Sequence, residues 1–227
     1  MIRITELNKT YGTHHVLKGI SLELQSGKVY GIVGANGAGK TTLFKCLAHL
    51  ESYEGWIESE WYPLKNHMGF LETNPLFMSK MTGWEYLKLL CVARGVDSDE
   101  FEAKNVFELP LQQYVETYST GMKKKLALTG VLLQDNKVFI LDEPFNGVDI
   151  HSNMMIVEVI RRLKNQGKTV LISSHIFSTL KDTCDEIMML KAGEITKHVR
   201  PEHFEELEEE MKTFVIGDKM DNLEELM

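Results

Sequence analysis

The sequence predicts an α/β protein with a mostly parallel sheet, an antiparallel β subdomain and a helical insertion. Three observations support this prediction. Short apolar runs alternate with helical segments over residues 137–200, as in folds whose parallel strands are joined by helices. Residues 2–7 and 20–24 alternate apolar and polar side chains, which is typical of half-buried antiparallel strands. Residues 72–136 carry apolar residues at helical spacing instead.

The elements can be assigned in chain order. We predict a core over residues 1–71 and 137–200, which includes the antiparallel subdomain, a helical insertion over 72–136, and a tail over 201–227. The predicted strands are residues 2–7, 20–24, 28–33, 55–59, 68–71, 138–141, 170–173, 186–190 and 194–198. The predicted helices are residues 42–50, 82–94, 118–134, 152–165 and 177–184, with a further helix starting in the polar segment 97–106.

Composition and charge exclude several classes of protein. The chain has 227 residues, and its net charge of −8 lies in residues 201–227, which hold ten acidic residues and two lysines. This tail is predicted to begin as a solvated acidic helix over residues 201–212. No basic stripe indicates nucleic-acid binding, and no apolar run approaches the ~20 residues that cross a bilayer. We expect a cytoplasmic protein in which the scattered Cys46, Cys91 and Cys184 are free, buried thiols.

The most informative segment is Gly-Ala-Asn-Gly-Ala-Gly-Lys-Thr at residues 34–41, which fits the phosphate-binding pattern G-x-x-x-x-G-K-[ST]. A predicted strand precedes it and a predicted helix follows it, as the pattern requires. Glycines let successive backbone N–H groups converge on one anion, and the helix N-terminus adds partial positive charge. The sequence therefore predicts a P-loop NTPase core. Its nucleotide-binding residues are Gly34, Asn36, Gly37, Ala38, Gly39, Lys40, Thr41 and Thr42.

A second chemical motif lies at the end of the apolar strand in Val-Phe-Ile-Leu-Asp-Glu-Pro, residues 138–144. Asp142 is predicted to hold Mg²⁺ together with the Thr41 hydroxyl, because parallel strands of such sheets bring their carboxyl ends to one ligand-binding edge. Glu143, one residue on, is predicted to polarise an attacking water as a general base.

These motifs, with others in a fixed order, resemble those of the nucleotide-binding subunits of ATP-binding cassette (ABC) transporters over residues 1–200. The resemblance implies that Tyr11, with Val16 beside it in YGTHHVLKGI, contacts adenine. Glu72 stands in the loop where the family usually has Gln, near Mg²⁺. The segment YSTGM at 118–122 matches the signature usually written LSGGQ. Asp149 in the segment NGVD matches another family motif. His175 in the segment SSH matches the histidine that the family places at the γ-phosphate.

The signature segment has its own physical interpretation. Ser119 is predicted to cap a helix, whose N-terminus then offers free N–H groups to an anion. In the family this terminus, here with Ser119 and Gly121, meets the ATP held by a second subunit. The three lysines that follow, residues 123–125, are expected on a solvated helix face.

The resemblance implies an ATPase that dimerises, as a homodimer or heterodimer, around two Mg·ATP. It would drive transport through separate integral membrane subunits, from the inner face of the cell membrane. The loop at residues 72–83 is a candidate dock for those subunits, because it contains Leu76, Phe77, Met78 and Met81, although these side chains would equally suit packing inside the insertion. Two alternatives are a soluble ABC ATPase acting on ribosomes or DNA, and a regulatory nucleotide binder without turnover.

Overall fold

A computed structural model describes residues 1–211 of the chain, in two β-sheets with helices packed around them. The first sheet has three antiparallel strands in the order β2-β1-β4, and the second has six in the order β5-β6-β7-β3-β8-β9. The strands are β1 Ile2–Tyr11, β2 His14–Leu24, β3 Val29–Val33, β4 Glu54–Ser59, β5 Met68–Leu71, β6 Val138–Asp142, β7 Thr169–Ser174, β8 Glu186–Lys191 and β9 Glu194–Val199.

Within residues 1–200 the structure contains five α-helices, and three short 3₁₀ turns connect elements of the described range. The helices are α1 Lys40–Leu47, α2 Gly83–Ala93, α3 Thr120–Leu132, α4 Ile150–Asn165 and α5 Phe177–Lys181. Each one confirms a predicted helix, with ends that differ by a few residues. Helix α2 begins at a capping box, in which the Thr82 side chain accepts from the Glu85 N–H and Glu85 reaches back to the Thr82 backbone.

The larger sheet confirms the predicted parallel arrangement. Strands β5, β6, β7, β3 and β8 run parallel, and β9 is antiparallel to β8 at the edge. Every residue of β3, β6 and β7 is buried, as their continuous apolar sequences require of strands covered on both faces. Because these five neighbouring strands are parallel, their carboxyl ends meet at one edge, where the ligand site of such a sheet lies.

The antiparallel subdomain is also confirmed, with longer strands than the sequence predicts. Strands β1 and β2 continue to a tight turn at Gly12, whose φ of 57° suits a residue without a side chain. Strand β4 pairs with the other side of β1.

The insertion differs from the prediction in one segment. Residues 97–106 form turns and no helix. The Asn105 side chain accepts a hydrogen bond from the Leu109 N–H at 3.0 Å and donates to the Leu109 carbonyl at 2.7 Å, which gives the backbone an alternative to helical hydrogen bonds. Phe101 and Phe107, both in this region, are buried in the core.

Two apolar cores cover the two faces of the larger sheet. One contains Leu43 and Phe44 of α1 and apolar residues of the antiparallel strands. The other joins the insertion, with Leu87 and Cys91 of α2, to α4 and α5. The insertion therefore shares its core with the ATPase sheet. All three cysteines are buried and free, as predicted.

The predicted acidic helix of the tail begins with a 3₁₀ turn at Pro201–His203 and continues as a helix over residues 204–211. Phe204 and Leu207 are buried, and the Phe204 ring makes an edge contact with Phe177, so one face of this helix belongs to the core. Residues 212–227 of the predicted tail lie outside the described residues. No helix within residues 1–211 is both long and apolar enough to span a bilayer.

Candidate functional site

A polar pocket of about 520 Å³ lies at the carboxyl edge of the larger sheet. Its walls come mainly from segments that follow β3, β5, β6 and β7, as expected for parallel strands, and β2 of the antiparallel sheet adds one side. The lining residues are His14, Val16, Ala35, Asn36, Gly37, Gly39, Lys40, Thr41, Thr42, Thr73, Glu143, Asn146 and His175. Most of the predicted nucleotide-binding residues are among them.

The predicted P-loop connects β3 to α1 and presents a helix N-terminus to this pocket. Gly39 precedes α1 with a φ of 110° and provides no side-chain cap, so the first N–H groups of the helix remain available to an anion. At Gly34 a Cβ atom would lie 2.3 Å from the Leu190 carbonyl oxygen, which explains why the loop begins with glycine. Gly34 and Ala38 form the back of the loop, against β8.

Lys40 is buried, and its side chain folds back onto the P-loop. Its Nζ donates to the Gly34 carbonyl at 2.7 Å and to the Ala35 carbonyl at 3.3 Å, and it lies 3.6 Å from Glu143 Oε1. The ammonium therefore stands at the base of the pocket, within reach of any anion held by the loop.

Asp142, at the end of β6, is fully buried and surrounded by hydroxyl donors. Its Oδ2 accepts from Thr41 at 2.6 Å and from Thr73 at 2.7 Å, and its Oδ1 accepts from Ser173 at 2.5 Å. A carboxylate beside the Thr41 hydroxyl is a donor set suited to Mg²⁺, which takes few protein ligands when nucleotide phosphates supply others. Within residues 1–211 no cluster of three or more His, Cys, Asp or Glu could hold a metal without such help.

Glu143 adopts a left-handed backbone conformation, with a φ of 51°. Such a conformation costs a non-glycine residue roughly 1–3 kcal/mol and persists only where the surrounding structure determines it. Its Oε2 lies 2.8 Å from His175 Nδ1, and its N–H donates to Ser173 Oγ at 2.8 Å. The carboxylate is thereby held in the pocket between His175 and Lys40.

The structure corrects the placement of Glu72. Its side chain lines a second groove on the other side of the strand and lies 3.9 Å from Lys45, whereas the next residue, Thr73, lines the pocket and bonds Asp142. Successive residues of an extended segment point to opposite sides, so a shift by one residue exchanges the two faces. The alternation of side chains between the two faces of the extended segment after β5 was the signal in the sequence that could have identified Thr73.

Tyr11 also lies outside the pocket. Its ring stands over the Lys9 ammonium at 4.6 Å, in a cation–π contact. Across the turn, His14 and Val16 of β2 line the pocket instead. The sequence predicted Val16 at this site but not His14, which pairs with Tyr11 across the turn.

Ser119, Gly121 and Asp149 lie together, away from the pocket of their own chain. Ser119 caps α3 by accepting from the Met122 N–H at 3.2 Å, as predicted. At Gly121 a Cβ atom would lie 2.8 Å from the Gly147 carbonyl oxygen, so the signature and the segment before α4 approach closely. Asp149 caps α4, and the hydrogen bonds from Ser152 hold the pKa of its carboxyl well below the usual range.

Two of the three lysines that follow the signature, Lys124 and Lys125, contradict the prediction of a solvated face. Lys124 is buried, and its Nζ donates to the Glu143 carbonyl at 2.7 Å. Lys125 donates to Ser152 Oγ at 3.1 Å. These contacts arise because α3 packs directly against the segment between β6 and α4.

A second groove, of about 830 Å³, lies between α1 and the insertion. Its lining residues are Ala48, His49, Leu50, Lys65, Asn66, Met68, Phe70, Glu72, Tyr86, Leu90, Ala93, Arg94, Val131 and Gln134. In the neighbouring loop Phe77 packs on Tyr86, whereas Leu76 and Met78 are 86% and 65% exposed. The packing interpretation therefore applies to Phe77, and docking through Leu76 and Met78 stays a prediction.

Comparison with known proteins gives one consistent result. The sequence profile of the family described as "ABC transporter" matches residues 17–146. The chain is 30% identical to the lantibiotic transport ATP-binding protein SrtF of Streptococcus pyogenes, over 96% of this chain and 99% of that protein. A solved ATP-binding subunit of an ABC transporter superposes with a TM-score of 0.78 at 25% identity, over 88% of this chain and 90% of that one. The cassette MJ0796, solved as a post-hydrolysis dimer bound to ADP and Pi, superposes with a TM-score of 0.80 at 20% identity, over 88% and 99%.

Proposed function

The chain belongs to the ATP-binding cassette (ABC) transporter family and is an ATPase, and from this premise we propose that it is the motor subunit of a transporter. Two cassettes close around two Mg·ATP, hydrolyse them and reopen, and separate membrane subunits convert that motion into transport. The observation that carries the proposal is the Lys40–Glu143–His175 cluster beside the P-loop, with Asp142 buried behind it.

The residues of the P-loop and of the catalytic edge have separate roles in this cycle. The N–H groups of the P-loop and the N-terminus of α1 bind the phosphates, and Lys40 exchanges its Gly34 contact for phosphate oxygens. Thr41 and Asp142 would hold Mg²⁺, which supplies charge neutralisation on the phosphates when bound. Thr73 and Ser173 orient Asp142 by donating to its two oxygens. Glu143 takes a proton from the attacking water, and His175 orients the Glu143 carboxylate.

The dimer is proposed because the N-terminus of α3 has no role in the nucleotide pocket of the same chain. Ser119 and Gly121 stand at an exposed helix N-terminus that suits an anion, and the lining of the chain's own pocket includes neither. Ile150 and Ile176, which directly follow Asp149 and His175, are exposed large apolar side chains beside the catalytic edge. A second cassette seated there would cover both and place its nucleotide at the α3 terminus.

We place the membrane subunit at the second groove and at the loop over residues 72–83. The groove joins α1 of the ATPase core to α2 of the insertion, and exposed Leu76 and Met78 lie beside it. A segment docked there would respond to movement of the insertion relative to the P-loop. SrtF is named for lantibiotic transport, and on this likeness we propose that the transported substrate is a peptide antibiotic. The chain would act at the inner face of the cell membrane.

The test uses Glu143→Gln, which keeps the size of the side chain and removes the base. We expect ATP binding to persist, hydrolysis to fall by about 10²–10⁴-fold, and ATP to hold two chains together in size-exclusion chromatography. The wild-type chain and a Lys40→Ala, Glu143→Gln double variant serve as controls and should stay monomeric. Wild-type turnover by Glu143→Gln would refute the assignment of the base.

A further inference from the structure

Lys124 is a buried charge that the proposed reaction does not use. It lies on the second turn of α3 and is 2% exposed. A buried ammonium needs hydrogen-bonding partners, because desolvation strongly disfavours its charge. Burial lowers the pKa of Lys124, and the nearby carboxylates of Glu143 and Asp142 act in the opposite direction.

The partner of this ammonium is the backbone of the proposed base. Lys124 Nζ donates to the Glu143 carbonyl oxygen at 2.7 Å, and the Asn146 N–H donates to the same oxygen at 3.2 Å. The Glu143 N–H donates to Ser173 Oγ. Both polar groups of this residue's main chain are therefore bonded, one of them to a charged side chain from another helix.

That contact matters because Glu143 is in the left-handed region, with a φ of 51°. A conformation of this kind persists only when the surrounding structure determines it. The orientation of the peptide also sets the direction of the side chain, whose two oxygens face His175 and Lys40.

We propose that Lys124 is a positioning residue that fixes the Glu143 backbone, so that the Glu143 carboxylate faces the phosphate pocket. Lys124 lies five residues after Ser119 on the same helix, and Lys125 binds Ser152 and Asp149 of the next segment. Helix α3 is thus connected to the segment from Glu143 to Ser152 at two successive residues. The inference rests on the proposed function, in which Glu143 is the base.

The test is Lys124→Met, which has similar length, carries no donor and leaves no unpaired charge in the core. We expect kcat to fall by about 10²-fold, as misplacement by 1 Å can cause, with the Kd for ATP within twofold of wild type. Lys124→Arg, which keeps a donor, should recover part of kcat. Lys123→Met, on the same helix turn, is the matched control and should retain wild-type kcat.

A double-mutant cycle separates positioning from a merely structural role. In the Glu143→Gln background Lys124→Met should lower single-turnover hydrolysis by less than threefold, because the group it positions is already lost. An equal loss in both backgrounds, or wild-type kcat in Lys124→Met alone, would overturn the inference. If Lys124→Met does not fold, Lys124→Leu, which also carries no donor, replaces it in the same cycle. Glu143→Gln with wild-type turnover would instead overturn the proposed function itself.

Discussion

Replacing Thr73 by Val removes one hydroxyl from the catalytic edge and leaves the shape of the side chain almost unchanged. That hydroxyl donates to Asp142 Oδ2 at 2.7 Å and lines the nucleotide pocket. A hydrogen bond to a charged group is worth roughly 1.5–3 kcal/mol, and tenfold in rate corresponds to about 1.36 kcal/mol. Thr41 still donates to the same oxygen, so we expect the lower end of this range. The predicted effect is a fall of about tenfold in kcat/KM.

The matched variants are Thr73→Ser and Glu72→Gln. Serine keeps the hydroxyl and should keep activity within a few-fold of wild type. Glu72 lies in the second groove, half-exposed, with only a 3.9 Å pair to Lys45, and an exposed pair contributes about 0–1 kcal/mol. We therefore expect the kcat/KM of the Glu72→Gln variant, assayed without membrane subunits, to stay within twofold of wild type.

The assay is steady-state ATP hydrolysis with saturating Mg²⁺, with thermal unfolding of each variant to confirm that it is folded. The reasoning would be refuted if Thr73→Val matched wild type while Glu72→Gln lost tenfold. That pattern would show that Glu72, as predicted from the sequence, and not Thr73 is the loop residue that acts at the metal site.

Three further outcomes are expected. Lys40→Ala should abolish most of the thermal stabilisation by ATP, because stabilisation follows affinity by mass action, and an unchanged shift in Tm would contradict the P-loop assignment. The Ser119→Arg variant should bind ATP but lose hydrolysis, and full activity of this variant alone would refute a shared site. Mixing it with Lys40→Ala chains should restore some activity, because one of the two shared sites in a mixed dimer is intact. Burial raises the pKa of Cys46 to about 11, that of Cys184 to about 12 and that of Cys91 above its usual value, so thiolate is scarce at pH 8. Labelling by a disulfide reagent should be slow until denaturant is added, and a fast-reacting thiol in the folded chain would count against this packing.

Local sequence was sufficient for most elements and for the residues adjacent to them, with residues 97–106 the exception. The P-loop could be read directly because its chemistry requires glycines, a lysine and a hydroxyl at fixed spacing between a strand and a helix. Asp142 and Glu143 were predictable for the same reason, as they end a buried apolar strand. Ser119 could be assigned as a cap because capping depends on residues within one turn.

Side-chain placement between elements required the tertiary structure. Thr73 and Glu72 are neighbours in sequence, and only the direction in which the chain leaves β5 decides which one bonds Asp142. Tyr11 and His14 are paired across one turn, and only the placement of the hairpin beside the P-loop decides which one lines the pocket.

The sequence by itself determined the α/β order of elements, the phosphate loop and the identity of the chemical groups, because each depends on spacing along the chain. Tertiary structure alone decided that the insertion shares a core with the ATPase sheet and that Lys124 is buried against Glu143. Three consecutive lysines indicate a solvated surface on any isolated helix. The packing of α3 against the segment after β6 removes one of them from water, and no local pattern specifies which surface a distant segment will cover.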